Sequence, residues 1–198
     1  VVPISAQTPR ALESGEADLA IGFIPRLEAG FHEQVLYAQD FVGLVSARHP
    51  RIGATMAPRA YRDEAHIGIL SAASYTTLQT SLARQRIRRR VLLELPGFLG
   101  LATIVASTDL VATVPRHIGE TLAAGGAIRV VPCPVKIAGF TVRQYWHERF
   151  HRDPGHRVLR SLCAELFSGG LQSHAVVGPR ARPILREAPP ASITAARA

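Results

Sequence analysis

The residues whose spacing most directly suggests chemistry are His147-Glu148-Arg149-Phe150-His151. On an α-helix, H-E-x-x-H puts two imidazoles on one face to hold zinc, with the glutamate as general base. That geometry requires all five residues to be helical. Here a β-branched and aromatic run, Phe140–Trp146, leads into the motif. Asp153-Pro154 follows at once, supplying an N-cap and an N1 proline for a new helix. The extended zinc pattern also fails, with Pro154 in its glycine position and Arg157 in its third histidine position. The run therefore reads as a strand passing into a loop, and no metal is expected.

Other catalytic patterns are thin. The chain contains no G-x-S-x-G elbow, no phosphate-binding loop and no G-x-G-x-x-G fingerprint. Asp109, after Ser107-Thr108, reads as a turn former that bonds its own backbone, not as a catalytic acid. Cys163 lies on an apolar helical stripe and reads as a core residue. No catalytic residue and no cofactor are expected. The turn Ser71-Ala72-Ala73-Ser74-Tyr75-Thr76 is more informative. Hydroxyl side chains and free backbone N–H groups at a strand-to-helix junction suit a carboxylate or another anion. Plain N-capping by Ser74 or Thr76 explains the same residues equally well. Tyr75 and Phe98 are candidates for aromatic walls, although Phe98 also fits a core position.

Stepping along the chain, strands alternate with helices. A helix through Ala11 and Leu12 ends at Ser14-Gly15, and Ala17–Ile21 is a short apolar strand. Phe41–Val45 is a strand closed by His49-Pro50, and Pro58–Glu64 holds one helical turn. From His66 the pattern repeats: strand His66–Leu70, helix Tyr75–Arg84, strand Arg90–Leu95, helix Phe98–Ala106, strand Leu110–Val114, helix Pro115–Ala124 and strand Ile128–Val131. Phe140–Trp146 is a further strand. The last helix carries Val158, Leu159, Leu162, Cys163, Leu166 and Phe167 as an apolar stripe that should dock on a sheet, and it ends at Ser168-Gly169-Gly170. This alternation implies an α/β fold with largely parallel sheets. Residues 169–198 read as a disordered tail.

With 198 residues and 47% hydrophobic content the chain can bury a sizeable core. No apolar run is long enough to span a bilayer, and no secretory leader is visible. Two widely spaced cysteines, Cys133 and Cys163, suggest neither a disulfide framework nor a metal site. A cytoplasmic protein without membrane contact is expected. The net charge of +8 comes almost wholly from arginine, Lys136 being the one lysine. The densest run, Arg84-Gln85-Arg86-Ile87-Arg88-Arg89-Arg90, lies between a helix and a strand and has no interleaved aromatics. It reads as a solvated helix end and strand edge, not as a nucleic-acid footprint.

The segments LESGEADLAIG (Leu12–Gly22), FVGLVSARHP (Phe41–Pro50), STDLVATVP (Ser107–Pro115) and above all YWHERFHRDPGHRVLR (Tyr145–Arg160) resemble the effector-binding domain of LysR-type transcriptional regulators. The last segment is similar to the branch containing nodulation and aromatic-degradation regulators, with Val158 where that branch usually has tryptophan. The resemblance implies two Rossmann-like subdomains joined by a hinge, like type 2 periplasmic binding proteins, and incomplete at the N-terminus. Subdomain I would be 1–45 plus 142–168, and subdomain II 46–141. A small effector, an aromatic acid or phenolic compound, would bind in the cleft, lined by Gly22, Phe23 and Ile24, by Ser74, Tyr75 and Thr76, and by Pro96, Gly97 and Phe98. DNA would be contacted only through a helix-turn-helix segment that these residues do not contain. Family members are homo-oligomers. A solute-binding protein of the same fold, which would need an export signal, and a non-functional gene fragment are the alternatives.

Overall fold

The computed structural model describes residues 4–24, 27–70 and 73–171 of the chain. The helices are α1 (Thr8–Ser14), α2 (Pro58–Asp63), α3 (Ala73–Arg84), α4 (Leu101–Ser107), α5 (Arg116–Ala123) and α6 (Pro154–Leu171). The strands are β1 (Ala20–Gly22), β2 (Phe31–Gln39), β3 (Phe41–Ser46), β4 (Ala65–Ile69), β5 (Arg90–Leu95), β6 (Val111–Pro115), β7 (Ile128–Pro132) and β8 (Phe140–His147). They form two sheets, one of three strands in the order β1-β8-β2 and one of five in the order β5-β4-β6-β3-β7. The fold is α/β with mixed sheets.

The five-stranded sheet is buried on both faces, so β3, β4 and β6 are continuous buried runs. Successive side chains divide between two cores. Val42, Leu44, Ile67, Ala112 and Val114 meet Leu101 and Val105 of α4 on one face. Phe41, Val45 and Val111 meet Tyr61 of α2 and Leu78 and Leu82 of α3 on the other. Helix α5 lies directly on β3 and β6, because Gly119 leaves room for Val42, whose methyl would stand 2.7 Å from an added Cβ. The expectation of largely parallel sheets needs correction. β4 runs parallel to β5 and β6, but β3 is antiparallel to both β6 and β7. The cause is connectivity, since β3 enters from the other sheet through a single residue, Asp40, and so arrives from the opposite end. The divisions drawn at 45 and 142 fall inside β3 and β8. The ladders change sheet at Asp40 and at Gly139-Phe140, because all of β8 pairs with β1 and β2.

The two crossings touch. An added Cβ on Gly139 would meet the Gln39 carbonyl oxygen at 2.8 Å. Asp40 accepts two hydrogen bonds from the Arg116 guanidinium, each 2.7 Å, and its carbonyl accepts the Arg116 N–H at 2.9 Å. Paired charge-assisted bonds of this kind fix orientation as well as distance.

The three-stranded sheet packs Leu12, Ala20 and Tyr145 in its own core. Strand β2 has no counterpart in the sequence reading, because FHEQVLYAQ is an edge strand with mostly half-buried or exposed residues and no apolar run. Helix α6 docks differently from expectation. Val158, Leu162 and Leu166 are 60, 53 and 75% exposed, whereas His156 and Arg160 are buried. The His156 imidazole donates to the Asp18 carbonyl, and the Arg160 guanidinium lies over Trp146 at 4.4 Å and donates to the Phe150 and His151 carbonyls. The polar stripe has specific partners there, whereas of the apolar stripe only Cys163 and Phe167 are half-buried, Phe167 stacking on Tyr37 of β2 at 5.4 Å. The helix also continues through Ser168–Gly170 to Leu171. The tail from 172 onward lies outside the described residues.

Two predictions follow from buried polar geometry. His66 is fully buried on β4, its Nε2 donating to the Tyr61 carbonyl at 2.6 Å. Burial lowers its pKa from 6.5 to about 4, with Arg89 adding to the effect. The unfolded chain therefore binds a proton that the folded chain refuses, and stability should fall as pH drops from 6.5 towards 4. Urea titrations at pH 7 and pH 4.5 should show His66→Leu losing about 2–3 kcal/mol less than the wild type over that interval. Equal pH slopes would contradict the buried neutral state. Gly139→Ala should cost about 1–3 kcal/mol by forcing the crossings apart, read as a lower urea midpoint at unchanged slope.

Candidate functional site

The carboxyl ends of β4 and β6 and the start of β3 lie together beside the crossings, where ligands of open α/β sheets bind. There the side chains line a narrow depression whose closed space, about 10 Å³, is that of a single water, so its walls must part to admit a ring. Ile69 and Pro115 mark the strand ends, and Phe41 stands at the start of β3. Ser74, Tyr75 and Leu78 enter from the first turns of α3, and Phe98 from the β5–α4 loop. Thr113 and Arg89 form the remaining polar lining.

Arg89 is the unusual member. It lies in the segment between α3 and β5 and is half-buried; both terminal nitrogens of its guanidinium are shielded from solvent and form no well-aligned hydrogen bond among the described residues, although the guanidinium lies close enough to the Tyr61 hydroxyl to hold its pKa down. Its positive charge is felt by its neighbours: it lowers the pKa of His66 and opposes the upward shift that burial imposes on Tyr61 and Cys133. The Tyr61 hydroxyl is already engaged with Thr113 Oγ1 at 2.9 Å. The depression thus combines aromatic and aliphatic walls, a buried Ser74 and a cation without a well-aligned partner.

Of the residues expected to line a cleft, the structure brings Ser74, Tyr75 and Phe98 to this depression. Phe23 is one aromatic layer away, packing on Phe140 at 5.2 Å, which in turn packs on Phe41 at 5.7 Å. Gly22 abuts Ile4, and the Ile24 backbone bonds the Tyr145 hydroxyl in the three-stranded sheet. Thr76 and Pro96 are exposed, and Gly97 is half-buried outside the lining. Ser71 and Ala72 lie outside the described residues.

Arg89, Phe41 and Thr113 were not anticipated. The basic run around Arg89 reads as solvated, yet burial alternates along it: Ile87, Arg89 and Val91 are half-buried while Arg88, Arg90 and Leu92 are exposed. That period-two pattern was the available signal, obscured by a surrounding run of arginines.

The other chemical candidates resolve differently. His147 ends a strand and Glu148–Phe150 is a single 3₁₀ turn, so H-E-x-x-H does not form one α-helical face. The His147 Nδ1 accepts the Arg149 N–H. At the Ser107–Asp109 turn, the Thr108 hydroxyl accepts the Leu110 N–H, while Asp109 pairs with Arg51 at 3.3 Å. Cys163 is half-buried on α6. Among the described residues, no helix is long and apolar enough to cross a membrane.

Comparison with known proteins places these features in a family. Residues 3–168 match the LysR substrate binding domain. The chain is 32% identical over 174 residues to the HTH-type transcriptional activator NagR of a Ralstonia species, covering 84% of this chain and 58% of NagR. It is 29% identical over 160 residues to the HTH-type transcriptional activator NahR of Pseudomonas putida, covering 80% of this chain and 53% of NahR. The chain thus spans about half the length of the curated relatives it matches. Among solved structures, the effector binding domain of QuiR in complex with shikimate superposes with a TM-score of 0.66 at 13% identity, covering 81% of this chain and 77% of that one. That likeness shows a shared fold. The match across residues 3–168, with two sheets joined at paired crossings, establishes that this chain belongs to the LysR substrate-binding-domain family.

Proposed function

We propose that this effector-binding domain senses a small aromatic carboxylate or phenolic acid, held in the depression between Tyr75 and Phe98 with its anionic group at Arg89. The observation that carries the reading is the half-buried guanidinium whose shielded terminal nitrogens form no well-aligned hydrogen bond among the described residues. Guanidinium matches a carboxylate with two parallel N–H···O bonds, which no neutral ligand reproduces. Tyr75, Phe98 and Phe41 supply aromatic walls, and Ser74 supplies a hydroxyl for a ring substituent. The shikimate held by QuiR, a ring carboxylate in a domain of this fold, is consistent with that chemistry.

The depression lies beside the crossings that join the two sheets. A ligand there would favour one relative arrangement of the sheets by the difference in its affinity for the available arrangements. We place that change at the head of transcriptional control in a longer regulator, whose DNA-reading part lies in the portion of the relatives that this chain does not span. The relatives are regulators, which favours sensing over catalysis.

A thermal-shift panel of benzoates, phenols and flavonoids tests the reading. Benzoate-type ligands should stabilise the protein by ~2.7 kcal/mol at a hundredfold excess over Kd. Benzamide should bind about tenfold or more weakly, because a hydrogen bond to a charged partner contributes about 1.5–3 kcal/mol. Arg89→Met, which keeps the length of the side chain and removes its charge, should lose the benzoate response while the ligand-free protein still melts in one cooperative transition. Equal protection by benzoate and benzamide, or full benzoate protection of Arg89→Met, would overturn the assignment.

A further inference from the structure

The first sheet carries a second cluster, remote from the depression. In the β2–β8 ladder His32 stands opposite Trp146, so both side chains project from one face. The chain leaves β8 through the 3₁₀ turn, where the Glu148 N–H donates to the Gly30 carbonyl at 2.8 Å. That turn brings the Glu148 carboxylate against His32 Nε2 and returns His151 over the His32 ring, the two imidazoles stacking at 3.8 Å. One ligand atom from each of His32, Glu148 and His151 lies within 4.8 Å of the others.

The geometry points to a divalent transition-metal site formed by His32, Glu148 and His151. Two imidazoles and one carboxylate form a donor set suited to zinc-like ions, whereas calcium and magnesium prefer all-oxygen shells. Zinc bonds nitrogen and oxygen at about 2.0–2.2 Å, so tetrahedral ligand atoms stand about 3.3 Å apart. The widest donor pair therefore needs to close by at most about 1.5 Å, while His32 and Glu148, already in contact, must open to admit the ion. Glu148, 56% exposed, can turn about its side-chain bonds, and the stacked His32 and His151 rings must tilt out of parallel so that both lone pairs meet the ion. The ion takes the place of the His32–Glu148 hydrogen bond and leaves further positions to water. It pins the start of β2 to the turn that launches α6. The seven residues from His32 to Gln39 put it roughly 24 Å from the crossing, so its role is structural or regulatory and separate from the effector site.

Recognition differs from the H-E-x-x-H pattern in one decisive way: His32 replaces His147. The His147 ring instead packs edge-on against Phe31 at 5.2 Å. Trp146 is the only tryptophan in the chain, and its ring lies 5.6 Å from His32 and 6.2 Å from His151. Its fluorescence therefore reports directly on an open-shell ion at the site.

The test is a titration of the metal-stripped chain with Co²⁺, following tryptophan quenching, with Zn²⁺ added in competition. Saturable quenching at about one Co²⁺ per chain, reversed by Zn²⁺, is expected. His151→Gln and Glu148→Gln should each weaken it by about tenfold or more, while His147→Gln leaves it unchanged. Glu148→Gln alters an exposed side chain in a turn, so it remains informative if a histidine variant fails to fold. Absence of quenching up to millimolar Co²⁺, unchanged quenching in Glu148→Gln, or equal loss in His147→Gln would overturn the site.

Discussion

The double crossing between the sheets is the constraint on which the rest of the structure depends. Two chain segments pass between sheets side by side, at Asp40 and at Gly139-Phe140, and they touch closely enough that only glycine fits at one of them. The Asp40–Arg116 pair fastens this point to the start of α5. From it follow the antiparallel entry of β3, the mixed character of the larger sheet, and the position of Phe41 at the mouth of the depression. Any motion of one sheet relative to the other must pivot where these two segments run. The candidate effector site borders those crossings through Phe41 and Pro115.

The larger sheet also shows how function departs from packing. One face is closed by α4 and α5 with mainly aliphatic side chains, Phe98 packing at its edge. The other face carries Tyr61, His66, Thr113 and Arg89 beneath an otherwise apolar layer. Tyr61 satisfies Thr113 through its hydroxyl and His66 through its carbonyl. His66 Nδ1 and the terminal nitrogens of the half-buried Arg89 are left without a well-formed hydrogen bond among the described residues, and of these only Arg89 lines the depression.

Much of this architecture is legible in the sequence, because buried strands and capped helices leave strong local marks. Gly15 ends α1 in the left-handed conformation, and Asp153 caps α6 through a 2.6 Å bond to the His156 N–H. The illegible parts share a cause, which is dependence on distant partners. Strand β2 shows no apolar run because it lies at a sheet edge. The face of α6 that docks is set by Trp146 and Asp18, so only the Cys163 and Phe167 side of the hydrophobic stripe is covered. In the site, Ser74, Tyr75 and Phe98 sit at strand-to-helix junctions and can be found by position. Arg89 cannot be told from its basic neighbours until the sheet fixes which of them turns inward. His32 joins Glu148 and His151 only through the β2–β8 register.

The central claim is that an aromatic acid occupies the depression with its carboxylate on Arg89. A crystal of the protein grown with 4-iodobenzoate tests it most directly, because anomalous scattering locates the iodine and fixes the direction of the ring. The account predicts the ring between Tyr75 and Phe98, with both carboxylate oxygens within hydrogen-bond distance of the Arg89 guanidinium and the iodine pointing away from it. An iodobenzoate seated elsewhere, or one in this depression with its iodine towards Arg89 and its carboxylate in solvent, would contradict it.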